Sequence, residues 1–162
     1  MTDPVETIEA RLKALDITLP EATAPVANYV PVVGVEGPLL YVSGQLPIVD
    51  GRPLVTGLLG EHVPVEAGYN AARVCALNIL AQVKAALEGD LEWIERCVKL
   101  TGFVAATPAF VEHPKVINGA SDLMVEVLGP RGHHTRSAVG VASLPLGAAV
   151  EVEAIFLAKS PE

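Results

Sequence analysis

The sequence is poor in cysteine, in aromatic residues and in uninterrupted hydrophobic runs, and each shortage excludes a class of protein. Its two cysteines, Cys75 and Cys97, have no second cysteine or histidine at metal-ligand spacing. We interpret both as reduced, buried apolar side chains. Aromatic residues make up only 4% of the chain, so its apolar residues are mostly Ala, Val and Leu. Such small side chains favour close packing and leave apolar surface that a partner subunit could cover.

Basic residues are also scarce. Eleven Lys and Arg residues stand against nineteen Asp and Glu residues, which gives a net charge of −8, and the basic residues do not cluster. Because nucleic-acid binding depends on Lys and Arg side chains that neutralise phosphates, this chain is predicted to repel a polyanion. The same charge disfavours an anionic membrane surface. We therefore expect neither nucleic acid nor membrane as a partner.

No segment has the character of a membrane span, which needs roughly 20 residues with few charges. Polar residues interrupt even the most apolar region, residues 63–87: Glu66, Asn70, Arg73, Asn78, Gln82 and Lys84. Residues 1–6 are acidic and no apolar core follows them, which is not typical of a signal peptide. These observations predict a cytoplasmic protein, and 162 residues suit a single domain.

Periodicity predicts the elements of the first half of the chain. Residues 5–15 are predicted to form a short amphipathic helix, with Asp3 and Pro4 near its start. The β-branched runs 29–35 and 39–43, separated by the Glu36-Gly37-Pro38 turn, predict a hairpin. A second turn is predicted at Asp50-Gly51, followed by a third short strand over residues 54–59.

The second half is predicted to contain two long helices and three strands. Residues 65–87 follow Pro64 and end before Gly89, and residues 113–128 end at Gly129-Pro130, as helices do. Strands are predicted over residues 97–105, 135–142 and 149–157. This order indicates an α+β fold, with one sheet that carries both long helices on one face. The other face must then be polar, or be buried by oligomerisation.

The last two predicted strands indicate which side chains each face carries. In the final strand the apolar residues are predicted to face the helices, and Glu151 and Glu153 to face away. In the preceding strand we expect the more apolar set to face the helices: Thr135, Ser137, Val139 and Val141. The open face would then carry the alternate set: Arg136, Ala138, Gly140 and Ala142. An arginine beside such small residues could hold a small anion in a fork.

Two motifs resemble the RidA/YjgF family. One is SGQLP at residues 43–47, and the other is TRSAVGV at residues 135–141, followed by LP at 144–145 and VEVEAI at 150–155. The resemblance covers residues 29–162, which we predict to be the family domain, with residues 1–28 as an N-terminal extension that contains a short helix. It implies a chorismate mutase-like fold and a homotrimer, whose sheets form a central barrel with three sites in the clefts between subunits.

The resemblance also implies an activity. RidA-type members hydrolyse reactive 2-imino or enamine acids, such as 2-iminobutanoate and 2-iminopropanoate, to 2-keto acids and ammonia. This chemistry requires no metal and no organic cofactor, and the sequence offers no site for one. Other members are described as endoribonucleases or translation inhibitors.

The resemblance also implies roles for individual residues. The carboxylate-binding arginine falls on Arg136 and the water-positioning glutamate falls on Glu151. The remaining implied substrate contacts come from side chains and from backbone donors: Tyr29, Ser43, Gly44, Asn118 and Ala138. The chain departs from the family at Ala27-Asn28, where Gly-Pro is frequent, and at Ala138 and Gly140, where Cys and Glu are common. These departures reshape the pocket and leave the natural substrate open.

Each implied site residue also has a plain structural interpretation. Arg136 could form an ion pair with Glu151 or Glu153, and Glu151 could lie on a solvated strand face. Tyr29 could be an edge aromatic residue, Ser43 and Gly44 a bulge, and Asn118 a solvent-facing helix amide.

The adjacent histidines His133 and His134 suggest a metal or acid–base pair at first sight. Adjacent side chains diverge in an extended chain and no third ligand is near in sequence, so we expect a loop near the mouth of the site instead. Three functions remain as hypotheses: an imine deaminase, a non-catalytic protein that binds a keto acid or a related metabolite, and, disfavoured by charge, a ribonuclease or translation inhibitor.

Overall fold

The computed structural model describes residues 7–24, 28–35 and 37–159, and these form one sheet, a small hairpin and three α-helices. The elements in chain order are α1 (Ile8–Ala14), β1 (Val32–Gly34), β2 (Leu39–Gln45), β3 (Ile48–Val49), β4 (Arg52–Pro53), α2 (Val65–Ala86), β5 (Ile94–Ala105), α3 (His113–Leu128), β6 (Thr135–Val141) and β7 (Val150–Ala158). Short 3₁₀ turns lie at Leu91–Trp93, Gly129–Gly132 and Pro145–Gly147. None of the helices in this part of the chain has the length and apolarity to cross a membrane.

The main sheet has five strands in the order β1-β2-β7-β5-β6. All of its pairings are antiparallel except that of β5 with β6, so the sheet is mixed. The β3-β4 hairpin, which turns at Asp50-Gly51 as predicted, forms a separate two-stranded unit. The predicted α+β class, with a mixed sheet and two long helices on one face, is confirmed.

The helix layer packs through small residues. Gly119 on α3 lies so close to α2 that a Cβ atom there would overlap the backbone oxygen of Tyr69. Gly68 on α2 lies beneath Val116, and alanines fill much of the remaining buried surface of α2. The abundance of alanine and glycine in the sequence therefore sets the close approach of the two long helices.

The core lies between this layer and the sheet. Val150, Val152, Ala154 and Phe156 of β7 are buried against the helices, as the alternation predicted, and Glu151 and Glu153 point to the opposite face. Cys75 and Cys97 are free and buried, also as predicted.

The helix α1 adds Ile8 and Leu12 to the same core. Thr7 caps it by accepting a hydrogen bond from the Ala10 N–H at 3.1 Å. On the other side, Lys84 of α2 pairs with Glu9 at 2.6 Å. The predicted start at residues 3–5 lies outside the described residues.

The strand predicted over residues 54–59 is wrong. This segment makes only isolated bridges, such as the one between Thr56 and Ala148. Gly57 and Gly60 have φ angles of 109° and 83°, which extended strands do not contain. Leu59 is nevertheless fully buried, so the apolar run marks a buried loop rather than a strand.

The predicted facing of β6 is also wrong. In the parallel pairing, Leu100 lies beside Arg136 and Val104 lies beside Gly140. Leu100 and Val104 are fully buried beneath the helices, so Arg136, Ala138 and Gly140 share the helix face. Counting apolar residues on the two faces of β6 predicted the wrong face because β6 is an edge strand. Its helix face lies at the rim of the helix layer, where a polar side chain can reach both a helix and solvent.

Candidate functional site

The guanidinium of Arg136 is held by α3. Its Nη1 donates to Asn118 Oδ1 at 2.9 Å and to Ser121 Oγ at 3.1 Å. Asn118 and Ser121 are one helical turn apart, so both side chains project from one side of α3. The structure therefore brings together two of the predicted site residues, Arg136 and Asn118.

The described residues leave the rest of the guanidinium without a partner. Among the described residues, no hydrogen-bond partner or carboxylate engages Nε or Nη2 of Arg136. These two nitrogens form the edge that binds a carboxylate with two parallel hydrogen bonds. The alternative ion pair with Glu151 or Glu153 is not formed, because both glutamates lie on the opposite face of the sheet.

A histidine completes this cluster. His134 Nδ1 lies 2.6 Å from the Gly132 carbonyl oxygen, and its Nε2 lies 2.9 Å from Ser121 Oγ. The pKa of His134 is lowered, first by burial and then by the neighbouring positive charge of Arg136. We call the set Arg136, Asn118, Ser121, His134 and Ala138 the arginine half-site.

Small residues extend the surface of the arginine half-site along β6. Ala138 packs against the core, and Gly140 lies under the imidazole of His113, which a Cβ at position 140 would contact. His113, Gly140 and Phe110 line an open cavity of about 370 Å³. Ala138 and Gly140 therefore leave space on the strand beyond Arg136.

Glu151 lies elsewhere, on the open face of the sheet. Its carboxylate rests directly over Gly44, where a Cβ atom would overlap Oε1. Burial, and to a lesser degree Glu153, raises the pKa of Glu151. A carboxyl group with a raised pKa is better suited to exchange protons near neutral pH.

The other predicted residues lie at the β2 side of the sheet, where Gly44 contacts Glu151, and not near Arg136. Ser43 donates its hydroxyl hydrogen to the Val30 carbonyl oxygen at 3.1 Å. The β2–β7 register shifts between Val42 and Gln45, so Ser43 and Gly44 do form the bulge considered as their structural interpretation. Tyr29 is 52% exposed and lines a cavity of about 270 Å³ together with Gly44 and Gln45. We call Glu151, Gly44, Ser43 and Tyr29 the glutamate half-site.

The two half-sites are separate within one chain. Strands β7 and β5 lie between β2 and β6, so about 14 Å of sheet separates β2 from β6 at a strand spacing of roughly 4.8 Å. Arg136 and Glu151 also project from opposite faces. One chain therefore cannot hold one small molecule between them.

Sequence reasoning missed Ser121 and placed His134 only in a loop near the site. The signal for Ser121 was its spacing of three residues from Asn118 on a predicted helix, which puts the two side chains on one face. His134 carried no periodic signal, because its contact with Ser121 depends on the turn at Gly129–Gly132. No group of three or more metal-ligating side chains occurs within the described residues.

Comparisons with known proteins agree with this architecture. A family model described as "YjgF/chorismate_mutase-like, putative endoribonuclease" matches residues 9–157. The protein TCP17 of Trypanosoma cruzi is 51% identical over 149 residues, which are 91% of this chain and 92% of that protein.

Solved structures are similar as well. Atu1372 of Agrobacterium tumefaciens, a protein of unknown function, is 56% identical with a TM-score of 0.86, over 94% of each chain. Escherichia coli TdcF, solved with bound serine, is 25% identical with a TM-score of 0.61, over 86% of this chain and 94% of that one.

Proposed function

Since this chain belongs to the RidA/YjgF family and has its chorismate mutase-like fold, we propose that it hydrolyses small 2-imino acids to 2-keto acids and ammonia at a cleft between subunits. The family assignment by itself covers proteins with several described roles, from RidA to endoribonuclease and translation inhibitor. The proposal for this chain therefore depends on its own residues.

The open Nε–Nη2 edge of Arg136 carries the proposal. The guanidinium is oriented by two neutral oxygens, from Asn118 and Ser121, and no carboxylate of residues 7–24, 28–35 or 37–159 neutralises its charge. A substrate carboxylate can therefore occupy that edge in a two-point contact. A relative of similar fold, TdcF, binds serine, which is a small molecule that carries a carboxylate.

Glu151 supplies the proton chemistry. In imine hydrolysis, water adds to the C=N carbon while the nitrogen gains a proton, and the resulting carbinolamine then releases ammonia and leaves the keto group. One carboxylate can accept the proton of the water and return it to the nitrogen. The raised pKa of Glu151 favours this exchange.

A second subunit would bring the two half-sites together. Arg136 lies on the edge strand β6, and Glu151 lies on a sheet face that also exposes apolar side chains such as Tyr41 and Val139. Packing this face against another copy would bury the apolar side chains and could place Glu151 of one subunit near Arg136 of the next.

The activity can be tested with 2-iminopropanoate generated in situ by an amino-acid oxidase, with pyruvate and ammonia release as readouts. We expect the wild-type chain to accelerate release, Arg136→Ala to abolish it, and Glu151→Gln to slow it by about 10²-fold. Glu153→Gln is the matched control, because it removes a neighbouring carboxylate of the same face. Since burial, more than Glu153, raises the pKa of Glu151, this variant should slow turnover far less than Glu151→Gln does. No acceleration by the wild-type chain would reject the enzyme.

The alternative is a binding protein that uses the same arginine without turnover. Ala138 and Gly140, which stand where the family often has Cys and Glu, favour this candidate, because they remove side chains from the arginine strand. It predicts that Arg136→Ala abolishes keto-acid binding, whereas Glu151→Gln leaves that binding unchanged.

A ribonuclease is the third candidate, and the net charge of −8 disfavours it. RNA affinity that rises as salt falls, in a nuclease-free preparation, would support it.

A further inference from the structure

His134 is a half-buried member of the arginine half-site, yet the reaction proposed above does not use it. We propose that His134 is a positioning residue: its neutral imidazole acts through Ser121 to hold the Arg136 guanidinium in the orientation that receives a carboxylate. The inference rests on the proposed role of Arg136 as the carboxylate anchor.

The hydrogen-bond directions follow from the atoms involved. A carbonyl oxygen can only accept, so His134 Nδ1 carries the hydrogen in its 2.6 Å contact with Gly132. In a neutral ring Nε2 must then be an acceptor, and Ser121 Oγ donates to it at 2.9 Å. With its hydrogen committed to His134, Ser121 presents its lone pairs to Arg136 Nη1 at 3.1 Å.

This chain of contacts fixes the rotation of the guanidinium. Nη1 has two hydrogens, and Asn118 Oδ1 and Ser121 Oγ accept one each. Since the guanidinium is planar, fixing both Nη1 hydrogens also fixes the direction of the Nε–Nη2 edge. Asn118 alone would leave the plane free to turn about that single contact.

Protonation of His134 would reverse the contact. An imidazolium donates from both nitrogens, so Ser121 could no longer donate to Nε2. His134 Nε2 and Arg136 Nη1 would then both donate to Ser121 Oγ. The hydroxyl hydrogen would then have to turn away from Nε2. A positive imidazolium would also repel the guanidinium and compete for an incoming carboxylate.

The surroundings of His134 keep it neutral near pH 7. Burial lowers the pKa of His134 most, Arg136 on β6 and the adjacent His133 lower it further, and the Gly132 carbonyl opposes them. The α3 side chains that complete the cluster, Ser121 and Asn118, are uncharged. No ion pair joins His134 to a carboxylate in the described part of the chain. We therefore expect binding to be intact above the ordinary histidine pKa of 6.5 and to weaken as the pH falls below it.

The test is calorimetric titration of the full chain with 2-ketobutyrate, whose carboxylate stays ionised between about pH 5 and about pH 7.5. We expect the wild-type Kd to rise about tenfold over that fall in pH, the equivalent of about 1.4 kcal/mol. His134→Gln keeps an acceptor near the position of Nε2 but cannot titrate, so it should bind like wild type at the higher pH and lose most of the pH dependence. His134→Ala should bind about tenfold more weakly at both pH values.

Three further variants test whether the effect belongs to His134 and acts through Ser121. His133→Gln removes the exposed neighbouring histidine, which is the smallest of the causes that lower the pKa of His134, so it should bind like wild type at the higher pH and keep the pH dependence. Ser121→Ala should reproduce the loss seen in His134→Ala, and the double variant should lose no more than either single one, because the two residues act in series. Thermal melting of each variant checks that it is folded.

The outcomes separate this inference from the proposed function. If Arg136→Ala binds 2-ketobutyrate like wild type, or if wild type does not bind it, the proposed function is wrong and this inference with it. If Arg136→Ala abolishes binding but His134→Ala binds normally, only the role of His134 is rejected. A ¹⁵N NMR spectrum that shows His134 as the Nε2–H tautomer would overturn it independently of any ligand.

Discussion

Gly44 shows how a single missing side chain positions a functional group. The carboxylate of Glu151 occupies the volume that a Cβ atom at position 44 would fill. The glycine of the SGQLP motif therefore provides the space in which Glu151 rests, in addition to forming the bulge in β2.

We predict that Gly44→Ala displaces the Glu151 carboxylate and lowers kcat for 2-iminopropanoate by about tenfold or more, because small displacements of a reacting group are costly. The melting temperature should change little, since only the flexible end of Glu151 has to move. Gly34→Ala is the control: it adds the same methyl group where the nearest atom is Leu40 Cδ2 at 3.6 Å. Unchanged kcat in Gly44→Ala would show that this position of Glu151 does not matter for turnover.

The contacts of individual site residues were predicted least completely from the sequence. The motif match indicated Arg136 and Asn118, and the structure brings them within 2.9 Å of each other. The sheet face of Arg136 was predicted wrongly, because counting apolar residues does not reveal that β6 is an edge strand. The partners Ser121 and His134 depend on a turn whose shape no periodicity encodes.

At the scale of elements, α2 and α3 approach each other closely. Gly119 faces the backbone of α2 at Tyr69, and backbone atoms cannot move aside as the end of a side chain can. Two side-chain contacts between the helices flank this site. Arg73 forms an ion pair with Glu126 at 2.6 Å, and Tyr69 donates a hydrogen bond to Asp122 at 2.8 Å.

We predict that Gly119→Ala lowers the free energy of unfolding by about 1–3 kcal/mol or more, because the added methyl group forces the two helices apart. Urea denaturation followed by circular dichroism measures the change, and Gly34→Ala again supplies the same methyl group where it makes only an ordinary van der Waals contact. A stability equal to wild type would mean that the helices separate without cost. The higher helix propensity of alanine works against this loss and does not offset it.

Most element bounds followed from the sequence. The helix over residues 113–128 was predicted with the bounds that α3 has, and the helix at 65–87 differs from α2 by one residue. These segments have long periodic patterns with clear stop signals at Gly89 and Gly129. The strand wrongly predicted at residues 54–59 is short and apolar, and such a run does not distinguish a strand from a buried loop.

At the scale of the whole molecule, the face of the sheet away from the helices is exposed and partly apolar. Tyr41 and Val139 are each 44% exposed and Val33 is 45% exposed, and they share this face with Glu151 and Glu153. A monomer would leave this partly apolar sheet face exposed to water. We therefore expect association with other copies to bury the face.

We predict that the chain is a homotrimer, and that light scattering after size-exclusion chromatography gives three times the 16.9 kDa of one chain. Val139→Asp should shift the population towards monomer, because it places a charge on the face that the trimer buries. Val111→Asp is the control, since Val111 is 77% exposed in the segment between β5 and α3. A monomeric wild-type chain would contradict both the trimer and a cleft shared between subunits.

The sequence by itself determined the α+β class, the two long helices, the inward face of β7 and the family, because periodicity and short motifs are local properties of the chain. Only the tertiary structure decided that Arg136 faces α3, that Ser121 and His134 support it, and that Glu151 lies over Gly44 on the opposite face. Those relations depend on which strand lies at the edge of the sheet and on contacts between residues distant in the chain. No local pattern specifies them, since they arise only when the strands pair and the helices dock.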